Sequence, residues 1–145
     1  MLVTARKKEN LQVSMEAGGH SLLADEPVSS GGEDKGPNPY ALLLASLAAC
    51  KVMTVQLYAQ RKGWPLEDVR ISLSTHKVHA EDCEDCDSDP GAKVDIIEAK
   101  IAFEGELDEA QISRLTEISE RCPVHRSLTS ETVIRTEQVA ITSLS

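Results

Sequence analysis

Gly36-Pro37-Asn38-Pro39-Tyr40-Ala41-Leu42-Leu43-Leu44-Ala45-Ser46-Leu47-Ala48-Ala49-Cys50 is the stretch on which the fold turns. It opens with turn residues, runs uncharged from Ala41 and ends on a thiol. Asn38 is a natural helix cap, and Pro39 falls at the first helical position, where the missing N–H costs nothing. Ala and Leu, which fill the next turns, are among the strongest helix formers. Apolar residues lie on every face of this helix, which predicts burial on all sides. The sequence thus places Cys50 inside a central buried helix.

Beyond Cys50 the pattern becomes amphipathic. Val52, Val55, Ala59 and Tyr58 continue the inner face, while Lys51, Gln56, Gln60 and Arg61 are expected to face water. The helix is predicted to run from Pro39 to Arg61, about 35 Å at ~1.5 Å per residue. Gly63 suits the left-handed position after it, and Pro65 follows.

Upstream, Leu2–Lys8, Leu11–Glu16 and His20–Ala24 read as three short strands of a meander, with Asp25–Pro37 as a loop. Downstream, Val69–Val78 alternates, with Val69, Ile71, Leu73 and Thr75 on one face. An acidic loop, Ala80–Ala92, separates it from a strand over Val94–Phe103. Asp108 and Gln111 form a capping box for a helix whose apolar face is Ile112, Leu115 and Ile118. It ends near Arg121, before Pro123. A short helical turn over Pro123–Leu128 and a last strand over Thr132–Ile141 complete the chain. Segregated strands and helices predict a single α+β domain over residues 1–145, with antiparallel sheets around the central helix. One chain of this length supplies limited cover for such a helix, so the expected unit is a homodimer.

Composition narrows the function. Net charge is −9 and aromatics make up 3% of residues, which argues against nucleic acid or an anionic membrane as partner. The uncharged run that includes the central helix stops at Lys51, short of the ~20 residues of a membrane span. Met1–Asn10 carries Arg6, Lys7 and Lys8 with no apolar stretch after them, unlike a signal peptide. The expected location is cytoplasmic, where cysteines are reduced at rest and a disulfide is transient or catalytic.

The chain has four cysteines. Cys50 is either a small hydrophobe packed in its helix or a functional thiol. Cys122, just before Pro123, is the N-cap of the short helix. Arg121, His125 and Arg126 are near it in sequence and favour a thiolate there, although a simple cap would look the same. Cys83-Glu84-Asp85-Cys86 follows His79 with the spacing of a zinc site. It also suits a shuttling disulfide, or exposed thiols without function. The surrounding carboxylates disfavour a nucleophilic thiolate.

Taken together, Gly36-Pro37-Asn38-Pro39, Leu42-Leu43, Ala48-Ala49-Cys50 and Cys122-Pro123-Val124-His125 resemble the OsmC/Ohr superfamily, the osmotically inducible and organic-hydroperoxide-resistance proteins. Asp25-Glu26-Pro27, Arg61-Lys62-Gly63-Trp64-Pro65-Leu66 and His79-Ala80-Glu81-Asp82-Cys83 resemble one of its OsmC-like subfamilies. The resemblance implies an OsmC-like fold, an intertwined homodimer and a thiol peroxidase acting on organic hydroperoxides. Cys50 would be the peroxidatic and Cys122 the resolving cysteine, with an external dithiol as reductant and no metal or organic cofactor. Tyr40 stands where the family's carboxylate holds an activating arginine, and Arg121 and Arg126 are the candidate substitutes. Two other readings stay open: a redox sensor or thiol-handling protein, and a binding protein for a lipid-like ligand or a metal at His79, Cys83 and Cys86.

Overall fold

The computed structural model describes residues 1–144. Three strands, β1 (Val3–Lys7), β2 (Val13–Ala17) and β3 (His20–Ala24), form an antiparallel meander. A loop and a short 3-10 turn lead to helix α1 (Pro39–Lys62). Strands β4 (Leu66–His79) and β5 (Lys93–Gly105) form a long antiparallel hairpin with His79 opposite Lys93 at its tip. Helices α2 (Glu109–Ser119) and α3 (Pro123–Leu128) follow. The α+β architecture with antiparallel sheets and a central helix agrees with the sequence pattern.

The local signals explain the element boundaries. The Asn38 side chain accepts from the Ala41 backbone N–H at 2.8 Å, with Pro39 in the first turn. Gly63 closes α1 in the left-handed conformation, φ 65°. Asp108 and Gln111 make the reciprocal capping box of α2. Gly36 has a packing reason: a Cβ there would collide with the Leu23 carbonyl of β3. The glycine therefore lets the loop into α1 pass directly against the meander.

The buried residues of α1 are Leu47, Lys51, Val55 and Ala59, one stripe at four-residue spacing. Val55 and Ala59 pack with Leu115 of α2, and Trp64, Val69, Ile101 and Phe103 close around them. Alternation on β4 holds where it meets this core, with Val69, Ile71 and Leu73 partly covered and Arg70 and Ser72 exposed.

Three expectations need correction. The central helix is not buried on all sides in one chain. β4, α2 and α3 cover one side, while Met53 and Leu57 remain 60% and 53% exposed. Lys51 does not face water but is 2% exposed, because it falls on the inner stripe between Leu47 and Val55. The last strand over Thr132–Ile141 is absent: residues 131–140 form neither helix nor strand, and a short 3-10 turn spans Ile141–Leu144. A strand needs a sheet edge, and no described residue of the chain pairs with this segment. Its apolar side chains, including Val133 and Ile134, are exposed.

By length and composition alone α1 is apolar enough to cross a bilayer, a point missed by counting uncharged residues only as far as Lys51. In the fold, Lys51 at its middle is tied to the α2–α3 corner and the helix packs on β4, α2 and α3.

Candidate thiol site

Cys50 lies midway along α1, and Cys122 is the N-cap of α3, where Pro123 starts the helix. The two are far apart in sequence, but α1 packs against α3, and Cys50 is near enough to Cys122 to help push its thiol up. Both are free thiols; Cys122 is fully buried and Cys50 partly exposed. The Cys122 Sγ accepts the backbone N–H of His125 at 3.2 Å. Burial pushes the Cys122 thiol above its ordinary range, and the neighbouring Cys50 adds to that. The His125 N–H and the charge of Lys51 pull in the other direction without overcoming it.

Lys51 is the residue beside the thiols that the sequence pattern assigned to solvent. Its Nζ donates to the Ser119 carbonyl at 3.2 Å and to Glu120 Oε1 at 3.0 Å, and lies 3.1 Å from His125 Nδ1. An ammonium has three donors and no acceptor. His125 Nδ1 also lies 3.3 Å from Glu120 Oε2, so Lys51, His125 and Glu120 form one polar cluster. The Ser119 carbonyl and the Glu120 carboxylate both accept from the ammonium, which accounts for a lysine at this depth. Its position four residues from both Leu47 and Val55 was the signal in the sequence that it belongs to the inner stripe.

The arginines named from the sequence do not occupy this role. Arg121 and Arg126 are exposed, and the cationic side chain that acts on Cys122 is Lys51. The charge of Arg121 is felt at Tyr58 instead. Tyr40 is 56% exposed on the first turn of α1, close enough to Lys77 to influence it.

A cavity of about 500 Å³ opens between α1, the outer half of the β4–β5 hairpin and α3. Leu47, Lys51, Leu73, Cys86, His125 and Leu128 are among its walls. Its size suits a small organic molecule, and its walls include Lys51 and His125, which border Cys122.

Cys83 and Cys86 are joined in a disulfide, with Cα atoms 5.4 Å apart. The predicted zinc set of His79, Cys83 and Cys86 does not assemble. Among the described residues, the cluster with metal-ligand spacing is Cys83, Asp85 and Cys86, without His79. With both sulfurs in a disulfide, neither is a thiolate ligand.

Residues 32–137 match the family described as OsmC-like protein. The fold is similar to that of an OsmC-like protein from Mycoplasma pneumoniae, with 23% identity, 88% of this chain and 85% of that chain covered, and a TM-score of 0.68. An organic hydroperoxide resistance protein OsmC from Legionella pneumophila is 21% identical over 88% of this chain and 87% of its own, with a TM-score of 0.62. The organic hydroperoxide resistance protein OhrB of Bacillus subtilis is 20% identical over 86% and 87%, with a TM-score of 0.58. No curated protein matches the sequence significantly.

Proposed function

Since the chain belongs to the OsmC-like protein family, we propose that it is a thiol-dependent reductase of organic hydroperoxides, with Cys50 as the peroxidatic and Cys122 as the resolving cysteine. The observation that carries this reading is the proximity, where α1 packs on α3, of a partly exposed thiol on α1 and a fully buried thiol at the start of α3. The attacking sulfur must meet the peroxide, whereas the resolving sulfur need only meet the attacking one. Two of the structures that share the fold are described as organic hydroperoxide resistance proteins.

In the proposed cycle the Cys50 thiolate attacks the distal peroxide oxygen and the O–O bond breaks. The alkoxide leaves as alcohol after taking a proton, and Cys50 becomes a sulfenic acid. The Cys122 sulfur then attacks the Cys50 sulfur, releasing water and forming the Cys50–Cys122 disulfide. An external dithiol reduces that bond by exchange and is itself oxidised. Lys51 favours the thiolate at Cys122 against the cost of burial. The proposed location is a reducing compartment such as the cytoplasm, in which Cys50 and Cys122 are free thiols between turnovers.

The active unit is proposed to be a homodimer. The uncovered side of α1 and the apolar segment Val133–Ile141 lie on one chain without cover, and a second copy would offer a matching helix and a sheet edge.

Dithiol-dependent loss of cumene hydroperoxide, compared with Cys50→Ser, tests the activity. Loss that disappears in the variant supports the proposal, and equal inertness of both proteins would refute it. The upward push on Cys122 favours one other reading, a redox sensor in which the pair closes slowly and does not turn over. Slow stoichiometric oxidation without catalysis would select it.

A further inference from the structure

The Cys83–Cys86 disulfide has no part in the cycle above, yet Cys86 lines a cavity whose other walls include Lys51 and His125, the neighbours of the thiol pair. The chain holds this bond closed while Cys50 and Cys122 are both free thiols. Cys86 lines the same cavity as Lys51 and His125. His125 donates its backbone N–H to Cys122, and Lys51 directly follows Cys50 in the chain. The loop is tethered at the tip of the β4–β5 hairpin, where Ala80 N–H meets the Ala92 carbonyl at 2.9 Å and Glu81 N–H meets the Pro90 carbonyl at 3.2 Å. The hairpin residues just beyond that tip, Val94 to Ile97, form the cavity wall. Cys122, by contrast, has no exposed surface, so a protein dithiol from outside cannot touch its sulfur.

We propose that Cys83 and Cys86 form an internal electron relay, a loop dithiol that reduces the Cys50–Cys122 disulfide across the cavity and is left as the disulfide seen in this structure. The inference rests on the peroxidase reading, since it needs a disulfide at Cys50 and Cys122 to act on. In the first step the Cys86 thiolate attacks the sulfur of Cys50, the more exposed of the pair. The Cys50–Cys122 bond breaks and Cys122 leaves as a thiolate, next to the His125 N–H and within the field of Lys51. These two neighbours offset part of the cost of forming a thiolate at this buried position. In the second step the Cys83 thiolate attacks the Cys86 sulfur of the mixed disulfide, the Cys86–Cys50 bond breaks, and Cys50 leaves. Two electrons pass from the loop to the pair, and the protons lost by the loop thiols are regained by Cys50 and Cys122. The external dithiol then reduces the Cys83–Cys86 bond, which sits in an exposed acidic loop. Tethering makes the exchange intramolecular, at an effective concentration on the order of millimolar.

The test uses the fully reduced full-length chain, cumene hydroperoxide in modest excess and no added reductant. Samples are quenched at intervals with an alkylating agent, and the disulfides are mapped by mass spectrometry. The wild type is expected to show the Cys50–Cys122 bond first. That bond then gives way to Cys83–Cys86, with free Cys50 and Cys122 returning. The double variant Cys83→Ser, Cys86→Ser is expected to stop with Cys50 and Cys122 joined. In Cys50→Ser the loop should oxidise at least about tenfold more slowly than in wild type, because it then depends on bimolecular reaction with peroxide. Persistent Cys50–Cys122 disulfide beside free loop thiols in the wild type overturns the relay and leaves the peroxidase reading intact. Loop oxidation as fast in Cys50→Ser as in wild type also overturns it. A wild type whose Cys50 does not react overturns the peroxidase reading and the relay with it.

Discussion

Lys51 Nζ lies 3.1 Å from His125 Nδ1, and the backbone N–H of the same histidine is bonded to the Cys122 sulfur. One buried cation is therefore coupled to the N-terminal turn of α3 and to the thiol that caps it. Lys51→Met keeps most of the side-chain volume and removes the charge. The Cys122 thiol should then titrate higher still, and the pH profile of its alkylation should move upward. At a fixed pH the thiolate fraction would fall roughly tenfold for every pH unit by which the profile moves. An unchanged profile in a folded variant would limit Lys51 to a structural role. The variant also leaves the Ser119 carbonyl without its buried donor, at a cost of about 1–3 kcal/mol.

Cys122 makes a second prediction through its own ionisation. Its thiol is raised by burial, so its interactions favour the protonated form in the folded state. That contribution to stability is present below the unfolded-state value, near roughly 8.5, and is lost as pH rises through the higher folded value. Thermal stability should fall more steeply in the alkaline range for wild type than for Cys122→Ala. The comparison is made by melting curves across that range.

Asp25 governs the loop that delivers the chain to α1. Its buried carboxylate accepts backbone N–H groups from Glu26 at 2.8 Å, and from Glu33 and Lys35 at 3.1 Å each. Burial pushes this carboxyl up, but the three N–H groups and the Lys35 charge outweigh it and hold the value below the ordinary one. The stabilisation is therefore present above the unfolded-state value of roughly 3.9, and is lost as pH falls through the lower folded value. Asp25→Asn should flatten the acid limb of the stability curve below that point. It should also destabilise the protein at neutral pH. An acid limb identical to wild type would show that another carboxylate sets it.

The exposed segment after α3 predicts the assembly. Ile134 is 86% exposed and Val133 61%, a pattern expected of side chains that a second copy covers. Sedimentation should give a particle of twice the 15.7 kDa chain mass, and Ile134→Glu should shift it toward the single-chain mass. A wild type that sediments as a single chain would contradict the dimer.

Much of this architecture was legible in the sequence because local signals agreed with the final fold. Asn38-Pro39, Gly63 and the Asp108–Gln111 box mark helix ends through backbone hydrogen bonds that involve only neighbouring residues. The alternation of Val69, Ile71 and Leu73 marked β4 as a strand with one covered face. What was missed depended on long-range contacts. Lys51 looked like a surface lysine because its acceptors, Ser119, Glu120 and His125, come from the far end of the chain. The strand expected after α3 had the right composition but finds no sheet edge among the described residues of its own chain. The pairing of Cys83 with Cys86, left open by spacing alone, is decided by a hairpin tip that brings the two together. The proximity of Cys50 and Cys122 was available only through the family resemblance, since neither spacing nor periodicity joins α1 to α3.

The most direct test of the central claim is a single-turnover reaction of reduced protein with an equimolar organic hydroperoxide, trapped early and mapped for sulfur bonds. The account predicts that a Cys50 sulfenic acid or a Cys50–Cys122 disulfide appears before any other oxidised species. It also predicts a Cys50 sulfenic acid that persists when Cys122, Cys83 and Cys86 are all replaced by Ser. Early oxidation confined to Cys83 and Cys86, with Cys50 and Cys122 unmodified throughout, would contradict it.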